Sequence, residues 1–480
     1  MQNDEEIDAE MIRIELKGEP YVRNGFSKQQ VRTALAAKEY DLDRILEEPE
    51  NKRIVSQLGE IPLRDLNIKI KESEDLTFDE SFLGMCYVLA ATNPQIYDKF
   101  RPLIEKAQKH DPKKMPEDGR SFDRDKSLAM GTSYLEGMAF KESYLGLTHE
   151  ELAGMTAATL MDVIYRVPLE EAIDTCGMGG DKGFMVNGEK RKTINASTLS
   201  GIVLASLGKP AFKHGSYSNT SAVGSTEAIE ELGANINSDD PERIREIMEE
   251  TNFYFTDAHL FKTVHDLSHL LKFETVNHVI GPMTTPVSKD TLLHRVLGVN
   301  HKIHPRDVAQ AYELLHEKKI QKVGNVLVVS GLSQDYRELT TDFNSHEELK
   351  PHMLLDEISP YTTLIGIVQN GKYVGCSLIT PEDFGISVDV QGIQLRNEED
   401  VMNAMNLKAL KGEDQANADY LAMNAALGLF TIEYLGREDA IVDGQLNRSY
   451  LQESFTRCRT AISEGTAYKA LEKFITSTQR

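Results

Sequence analysis

Residues 171–181 read EAIDTCGMGGD, and this stretch decides the fold class. Its first six residues are typical of a short strand, and glycines follow at Gly177, Gly179 and Gly180. Glycines directly after a strand allow backbone N–H groups to approach a ligand closely, and Asp181 is then within reach of a ribose hydroxyl or a metal ion. A tight turn between a strand and a helix explains the same residues without a ligand, so both interpretations stay open for the loop alone.

Downstream of this stretch, strand-like and helix-like segments alternate, which indicates an α/β domain. The expected strands are at 171–176, 210–215, 323–331 and 373–385, and the expected helices are at 193–208, 221–234, 418–436 and 451–475.

Upstream of residue 171 the apolar spacing is helical, and residues 76–91 begin with the capping-box pattern Thr77 to Glu80. A chain of 480 residues is long for one compact domain. We therefore expect a small all-helical domain and a larger α/β domain whose central sheet is flanked by helices. The boundaries are 1–75 for an N-terminal extension of unknown role, 76–170 for the helical domain and 171–480 for the α/β domain.

Composition excludes several classes of partner. The net charge of −23 repels nucleic acid and anionic membrane surfaces, so neither is expected to bind. The four cysteines are far apart and form no CxxC pair, which favours reduced thiols in a cytoplasm over disulfides or a zinc site. The N-terminus lacks the apolar segment of a signal peptide, and the longest apolar runs are too short to span a bilayer.

A second polar motif, Asn195-Ala196-Ser197-Thr198, opens an apolar helix. Asn195, Ser197 and Thr198 are ordinary helix caps, and capping alone is one explanation of them. The other is an anion site, because free N–H groups, the helix dipole and two hydroxyls converge on a phosphate at such a helix start.

A third cluster of donors follows a predicted strand. It comprises Lys213, His214, Gly215 and Ser216 and extends to Ser221. A lysine beside hydroxyl and backbone donors suits a phosphate, although a polar surface loop has the same composition. His214 is the nearest candidate for a general base.

Asp356 and Glu357 supply adjacent carboxylates. Such pairs are usually solvated, but Mg²⁺ favours one or two protein carboxylates and completes its shell with substrate phosphates. Because neighbouring side chains point in different directions, the pair is suited to bracketing two metal ions rather than crowding one.

The order of these motifs resembles the anthranilate phosphoribosyltransferase family from about Phe140 to the C-terminus. The resemblance rests on GMGGD at 177–181, NAST at 195–198, KHG at 213–215, ELG at 231–233, GPMTTP at 281–286, LGV at 297–299, DEIS at 356–359 and TPEDFG at 380–385.

The resemblance implies Mg²⁺-dependent transfer of the phosphoribosyl group from 5-phosphoribosyl 1-diphosphate to a small-molecule acceptor, with release of diphosphate. It also implies a cleft between the two domains as the active site, and a homodimer. The residues implied are Gly177, Gly179, Gly180 and Asp181 for diphosphate and ribose; Asn195, Ser197, Thr198 and Lys213 for phosphate; Gly215, Ser216 and Ser221 as further substrate contacts; Ser197, Asp356 and Glu357 for magnesium; and Lys213 with His214 for catalysis.

The chain departs from the family pattern at the glycine loop. Met178 stands where the family carries threonine, and residues 182–192 contain an insertion. Its Lys190, Arg191 and Lys192 are candidates for replacement cations at the phosphate site. A solvated hairpin tip is the alternative explanation.

The part of the pattern that concerns the acceptor is changed more. Ser216 and Tyr217 replace an asparagine and an arginine, and residues 265–282 lack the arginine that pairs with the anthranilate carboxylate in the family. Lys272 is the only cation there, and it cannot reproduce the bidentate geometry of an arginine. We therefore expect an acceptor other than anthranilate. A second insertion, 333–353, is expected to form a lid or an oligomer contact.

Three alternatives remain open on the sequence. One is anthranilate phosphoribosyltransferase activity in tryptophan biosynthesis, and another is a nucleoside phosphorylase of related fold that binds free phosphate. The third is a non-catalytic binding or regulatory member of the family. The DEIS and NAST motifs favour the transferase over the phosphorylase.

Overall fold

A computed structural model describes residues 40–109, 124–218, 222–238, 240–264, 267, 275–334 and 344–480. The chain divides into two compact units. The helical unit lies within Met1–Leu145, Gly154–Arg166 and Ala258–Pro286, and the α/β unit lies within Gly146–Ala153, Val167–Asp257 and Val287–Arg480. In the part of the chain that is described, no helix is long and apolar enough to cross a membrane.

The helical unit is built from a run of helices before residue 167. They are α1 (Leu42–Glu47), α2 (Pro49–Val55), α3 (Leu63–Lys71), α4 (Phe78–Thr92), α5 (Pro94–Lys109), α6 (Arg124–Tyr144) and α7 (His149–Met161), whose first residues fall in the other unit. The predicted capping box is present at the start of α4, where the Thr77 hydroxyl and the Glu80 carboxylate each accept from the other's backbone N–H.

The helical unit includes segments from outside the predicted helical domain at 76–170. The described part of the predicted N-terminal extension begins at Tyr40 and packs into the helical unit, where the Tyr40 hydroxyl donates to the carbonyl of Met161 at 3.1 Å. Residues 1–39 lie outside the described residues. The segment Ala258–Pro286, expected in the α/β domain, groups with the helical unit.

A buried carboxylate links Ala258–Pro286 to the other segments of the helical unit. Asp162, just after α7, accepts hydrogen bonds from Asn93 Nδ2 at 2.9 Å, from Thr263 Oγ1 at 2.6 Å and from the Val264 N–H at 2.8 Å. Burial raises the pKa of Asp162 to about 6, although these donors act in the opposite direction. The apolar pattern of the sequence carries no sign of this polar contact.

The α/β unit contains the central sheet. Its strands are β1 (Glu171–Gly177), β2 (Phe184–Val186), β3 (Glu189–Lys192), β4 (Ala211–Gly215), β5 (Phe253–Asp257), β6 (Leu292–Gly298), β7 (Val323–Leu332), β8 (Met353–Leu355), β9 (Thr362–Gln369), β10 (Lys372–Ile379), β11 (Leu395–Arg396), β12 (Ile441–Val442) and β13 (Gln445–Leu446).

The main sheet has the order β10-β9-β7-β6-β1-β4-β5, with β8 paired to β7. The pairs within β7-β6-β1-β4-β5 are parallel, and β8, β9 and β10 run antiparallel to their partners. A small sheet has the order β11-β3-β2, and β12 pairs with β13. The mostly parallel sheet with flanking helices confirms the predicted fold class.

Helices cover the sheet of this unit. They are α8 (Ala196–Ser206), α9 (Ser225–Glu231), α10 (Pro241–Thr251), α11 (Pro305–Glu317), α12 (Glu399–Lys411), α13 (Gln415–Glu433), α14 (Arg448–Ser463) and α15 (Thr466–Thr478). The prediction of one helix at 451–475 is wrong, because Gly465 adopts φ +73° and separates α14 from α15. A left-handed residue ends a helix, and glycine adopts that conformation without a Cβ penalty.

The topology decides where the polar motifs lie. Parallel strands place their carboxyl ends at one edge of a sheet, and ligands of α/β proteins bind there. The loops that follow β1, β4 and β6 therefore share one edge with the start of α8. The predicted motif at 177–181 follows β1, the motif at 195–198 opens α8, and the motif at 213–216 lies at the end of β4.

Candidate active site

Three strand ends are shaped to receive the acidic pair Asp356–Glu357. Gly177, Gly298 and Gly331 stand near the carboxyl ends of the neighbouring strands β1, β6 and β7, and Gly177 is in register with Gly298. A Cβ added at Gly298 would lie 1.5 Å from the Asp356 carbonyl oxygen, and one at Gly177 would lie 2.4 Å from Asp356 Oδ2. One at Gly331 would lie 2.7 Å from the Glu357 carbonyl oxygen. The acidic segment therefore rests directly on the sheet.

The glycine loop and Asp356 are in direct contact. The N–H of Gly179 donates to Asp356 Oδ2 at 2.6 Å. Gly179 and Gly180 adopt φ +71° and +66°, which other residues rarely do, so the contact depends on glycine. Asn300 fixes the other side of the loop, since its Nδ2 donates to the Gly179 carbonyl at 2.8 Å. Two motifs that lie 177 residues apart in the chain are thus brought together.

Glu357 is half-buried beside the start of α8. Its Oε1 accepts from the hydroxyl of Thr193, and from the Tyr420 hydroxyl at 3.0 Å. Burial and then the neighbouring charge of Asp356 raise its pKa to about 7, against the effect of both hydroxyls and of Lys192.

The insertion forms the hairpin of β2 and β3, with Asn187 and Gly188 at its tip. Lys192 Nζ forms an ion pair with the Asp181 carboxylate, and Lys190 Nζ donates to the Asp181 carbonyl at 2.6 Å. Both Lys192 and Asp181 are buried, with relative exposures of 7% and 6%. The hairpin tip is exposed, as the alternative explanation held, but two of its cations are directed at Asp181.

The start of α8 is held by its neighbours rather than by a side-chain cap. Asn195 makes no side-chain cap hydrogen bond. It forms a reciprocal pair with Asn406, in which its N–H donates at 2.9 Å and its Oδ1 accepts at 2.8 Å. Thr175 Oγ1 donates to the Ser197 carbonyl at 2.7 Å. Thr198 Oγ1 is buried with no hydrogen-bond partner among the described residues. Capping by Asn195 therefore does not explain the motif.

A buried charged group lies behind the end of β4. His214 Nδ1 lies 2.6 Å from Asp174 Oδ2, and Arg295 Nη2 lies 3.1 Å from the same oxygen. Burial alone would raise the pKa of Asp174, but His214 and Arg295 lower it well below its usual range. Lys213 is also buried, and its Nζ donates to the His214 carbonyl and lies 5.8 Å from the centre of the Phe255 ring.

The segment after β4 turns toward α9. Gly215 packs against it so closely that a Cβ there would lie 2.6 Å from Ser225 Cβ. The Ser216 carbonyl accepts from the Thr226 N–H at 3.3 Å. The Tyr217 hydroxyl, where the family has arginine, donates to Glu230 Oε1 at 3.3 Å. Ser221 and Lys272 lie outside the described residues.

The donor set suits a metal ion that arrives with phosphate. Among the residues described, no three His, Cys, Asp or Glu side chains cluster closely enough to hold a metal ion by themselves. Asp356 and Glu357 supply two hard oxygen donors, which is the number that Mg²⁺ takes from protein when substrate phosphates and water fill its shell. The pair therefore fits Mg²⁺ with a diphosphate better than a bare ion.

Several contributors to this site were not predicted from the sequence. Thr193 and Asn300 lie directly beside predicted motifs, so their position was a usable signal. Tyr420 and Asn406 reach the site from α13 and α12, and nothing local in their sequence indicates it. Arg295 stands with His294 in the strand β6, whose other residues are apolar or glycine, so a charged residue there was itself a signal.

Comparison with known proteins identifies relatives of this chain. Residues 169–468 match the model of the glycosyl transferase family, a/b domain. Anthranilate phosphoribosyltransferase of Pyrococcus abyssi is 31% identical over 291 residues, which cover 59% of this chain and 76% of that protein. The enzyme of the same name from Methanococcus vannielii is 28% identical over 408 residues, which cover 84% of this chain and 98% of that protein.

Solved structures of similar fold carry the same name. Anthranilate phosphoribosyltransferase of Thermus thermophilus superposes with a TM-score of 0.60 at 20% identity, covering 86% of this chain and 99% of that one. The Saccharomyces cerevisiae enzyme in complex with PRPP and Mg superposes with a TM-score of 0.56 at 20% identity, covering 84% and 92%. At these identities the superpositions show the fold.

Proposed function

The chain belongs to the anthranilate phosphoribosyltransferase family, and from this membership we propose that it transfers the phosphoribosyl group of 5-phosphoribosyl 1-diphosphate to an acceptor other than anthranilate. One observation carries the proposal. The Asp356 carboxylate accepts from the N–H of Gly179, with Glu357 beside it and the start of α8 adjacent through Thr193. Carboxylates, a glycine loop and a helix start then lie together, as a magnesium diphosphate requires.

Different residues of the site would contact different parts of the bound substrate. Asp356 and Glu357 would hold the metal, and Gly177–Asp181 would border the diphosphate and ribose. The start of α8, with Ser197 and the buried hydroxyl of Thr198, offers N–H and O–H donors to phosphate. Lys213 adds a buried positive charge at the same sheet edge.

The transfer breaks the bond between the anomeric carbon and a diphosphate oxygen while the acceptor attacks the opposite face. Mg²⁺ held by Asp356 and Glu357 would neutralise charge on the departing diphosphate. The chain's own donors are held in place by Asn300, Asn406 and Thr175 before substrate arrives, so they need no reorganisation as charge develops. Positioning of this kind is worth at best about 7–11 kcal/mol. His214 is the candidate base, and because Asp174 holds its Nδ1, proton transfer by this ring uses Nε2.

Two features of the chain support a changed acceptor. No arginine stands in the segment 265–282, and Ser216 replaces an asparagine. In addition, Tyr217 stands where the family has an arginine, is uncharged and donates to Glu230 Oε1.

The acceptor is tested by measuring diphosphate release from 5-phosphoribosyl 1-diphosphate with Mg²⁺. Anthranilate is compared with a panel of amines, phenols and nucleobases. We expect release with a member of the panel and a rate with anthranilate well below the roughly 1 s⁻¹ of an ordinary enzyme. Anthranilate turnover at an ordinary rate would contradict the changed acceptor. Phosphate-dependent release of a nucleobase without diphosphate release would assign a phosphorylase instead.

The acidic pair is tested with Asp356→Asn combined with Glu357→Gln. Asparagine keeps an oxygen to accept from Gly179, so the loop is retained while both charges are removed. We expect Mg²⁺-dependent binding of 5-phosphoribosyl 1-diphosphate, measured by calorimetry, to weaken by about 10²-fold or more, because the metal loses its charged ligands. The matched control is Glu249→Gln with Glu250→Gln, an exposed pair on α10. Equal affinity in both double variants would remove Asp356 and Glu357 from the site.

The homodimer and the cytoplasmic location stay predictions. Native mass spectrometry of the full chain tests the first.

A further inference from the structure

Lys192 occupies an unusual place for a residue of an insertion. It ends β3, which is paired on one side with β2 and on the other with β11, where Lys192 is in register with Leu395. Its ammonium is buried against the Asp181 carboxylate. The small sheet, rather than a free loop, therefore sets the position of this cation.

Side chains point alternately to the two faces of β3, and this alternation decides which cations of the hairpin reach Asp181. Lys190 and Lys192 are two residues apart and both contact Asp181, at its carbonyl and its carboxylate. Arg191, between them, forms an ion pair with Glu189 at 2.8 Å instead. Residues Asn187 and Gly188 at the tip have φ +52° and +83°, as a two-residue hairpin turn requires, and this turn fixes the alternation.

Carboxylates other than its ion-pair partner Asp181 also act on Lys192. Burial lowers its pKa, whereas the charges of Asp356 and Glu357 oppose that change. Lys192 in turn lowers the pKa of Glu357. Backbone geometry places Lys192 near the acidic pair, because the next residue, Thr193, donates to Glu357 Oε1. The loop that ends in Asp181 contacts Asp356 through the Gly179 N–H.

We propose that Lys192 is the resident cation of this acidic site, neutralising the carboxylates in the absence of metal and opposing the binding of a divalent ion that arrives without diphosphate. The proposal rests on the proposed function, because it concerns the same acidic pair. When a metal ion enters with a diphosphate, the four-carbon stem of Lys192 allows the ammonium to turn from the carboxylates to the new phosphate oxygens. Metal and diphosphate then bind together far better than the metal alone.

The test is a calorimetric titration of the full chain with Mn²⁺, first alone and then with saturating inorganic diphosphate. Replacing Lys192 by glutamine removes one positive charge beside a divalent ion. We expect Lys192→Gln to bind Mn²⁺ alone about tenfold more tightly than the natural protein, because like charges repel strongly at a buried site. With diphosphate present, we expect the order to reverse, since the variant lacks a phosphate contact.

Two variants serve as controls. Lys192→Arg keeps the charge and Arg191→Gln removes a charge from the opposite face of β3, so both should bind Mn²⁺ like the natural protein. If Lys192→Gln does not fold by circular dichroism, Lys192→Met, which keeps most of the apolar stem, takes its place. Mn²⁺ affinity that is unchanged or weaker in the folded charge-removing variant would overturn the proposal.

A combined variant separates this proposal from the function on which it rests. Lys192→Gln is added to Asp356→Asn with Glu357→Gln. Persistent Mn²⁺ binding in this variant would overturn the assignment of the metal to the acidic pair, and the role of Lys192 with it. Loss of Mn²⁺ binding here, together with no effect of Lys192→Gln alone, would overturn only the role of Lys192.

Discussion

Replacing Gly298 by alanine is expected to disable the site without unfolding the protein. The new Cβ would lie 1.5 Å from the Asp356 carbonyl oxygen. A carbon and an oxygen in favourable contact are about 3.3 Å apart, so the acidic segment has to move by roughly 1.8 Å. Because a misplacement of about 1 Å can cost around 10²-fold in rate, we expect substrate binding and diphosphate release to fall by at least that factor. Overpacking of this kind costs about 1–3 kcal/mol, which a folded protein of this size tolerates.

The assay measures Mg²⁺-dependent binding of 5-phosphoribosyl 1-diphosphate by calorimetry, with thermal melting to establish that the variant is folded. The backbone of Gly298 is not left-handed, so alanine adds only the side-chain clash. Gly137→Ala in α6 is the control, since its Cβ would meet nothing nearer than Ile70 Cγ2 at 3.4 Å. A folded Gly298→Ala protein with undiminished affinity would refute the view that the strand ends position the acidic pair.

Two further changes test buried polar groups in each unit. Tyr420→Phe removes a buried hydroxyl that donates to Glu357, so we expect the free energy of unfolding in urea to fall by roughly 1–3 kcal/mol. Tyr450→Phe, which removes a solvent-exposed hydrogen bond to Asp439, should lower it by less, and equal losses would contradict this. The pKa of Asp162 is raised to about 6 in the folded protein, above its value of about 4 in the unfolded chain. Between these two pKa values the folded state therefore binds more protons than the unfolded chain does. The free energy of unfolding of the natural protein, relative to that of Asp162→Asn, should fall by on the order of 3 kcal/mol as pH rises from about 4 to about 6 and then stay level. Urea titrations at several pH values measure this difference, and a difference that does not change with pH would refute the prediction.

Local patterns of the sequence predict local structure well here. The capping box at Thr77, the strand that ends at Gly177 and the apolar helix at 193–208 all follow from spacing and residue type, and the structure has them. The separation of α14 from α15 at Gly465 was also predictable, because a glycine in a long helical pattern often marks a helix end. The apolar spacing on both sides of Gly465 outweighed that signal in the prediction.

Contacts between distant parts of the chain were not predictable in the same way. Asn406 and Tyr420 reach the candidate site from helices that lie far beyond the glycine loop in the chain, and nothing in their neighbourhood distinguishes them from other polar residues of a helix. The sequence identifies Lys192 as a candidate cation, but its partner Asp181 depends on the pairing of β3 with β2 and β11. That pairing joins segments that no local pattern relates.

The pairing of β8 with β7 separates the chemistry of the chain from the length of its second insertion. Leu355 returns to register with Gly331, and Met353 with Leu332, immediately before Asp356. The length of the segment between residues 332 and 353 therefore does not change the position of the acidic pair. The segment can therefore differ in length while the carboxylates stay on the same strand ends. Because the short β7–β8 pairing holds both ends of the segment, the segment is a suitable position for sequence variation and for grafting by design.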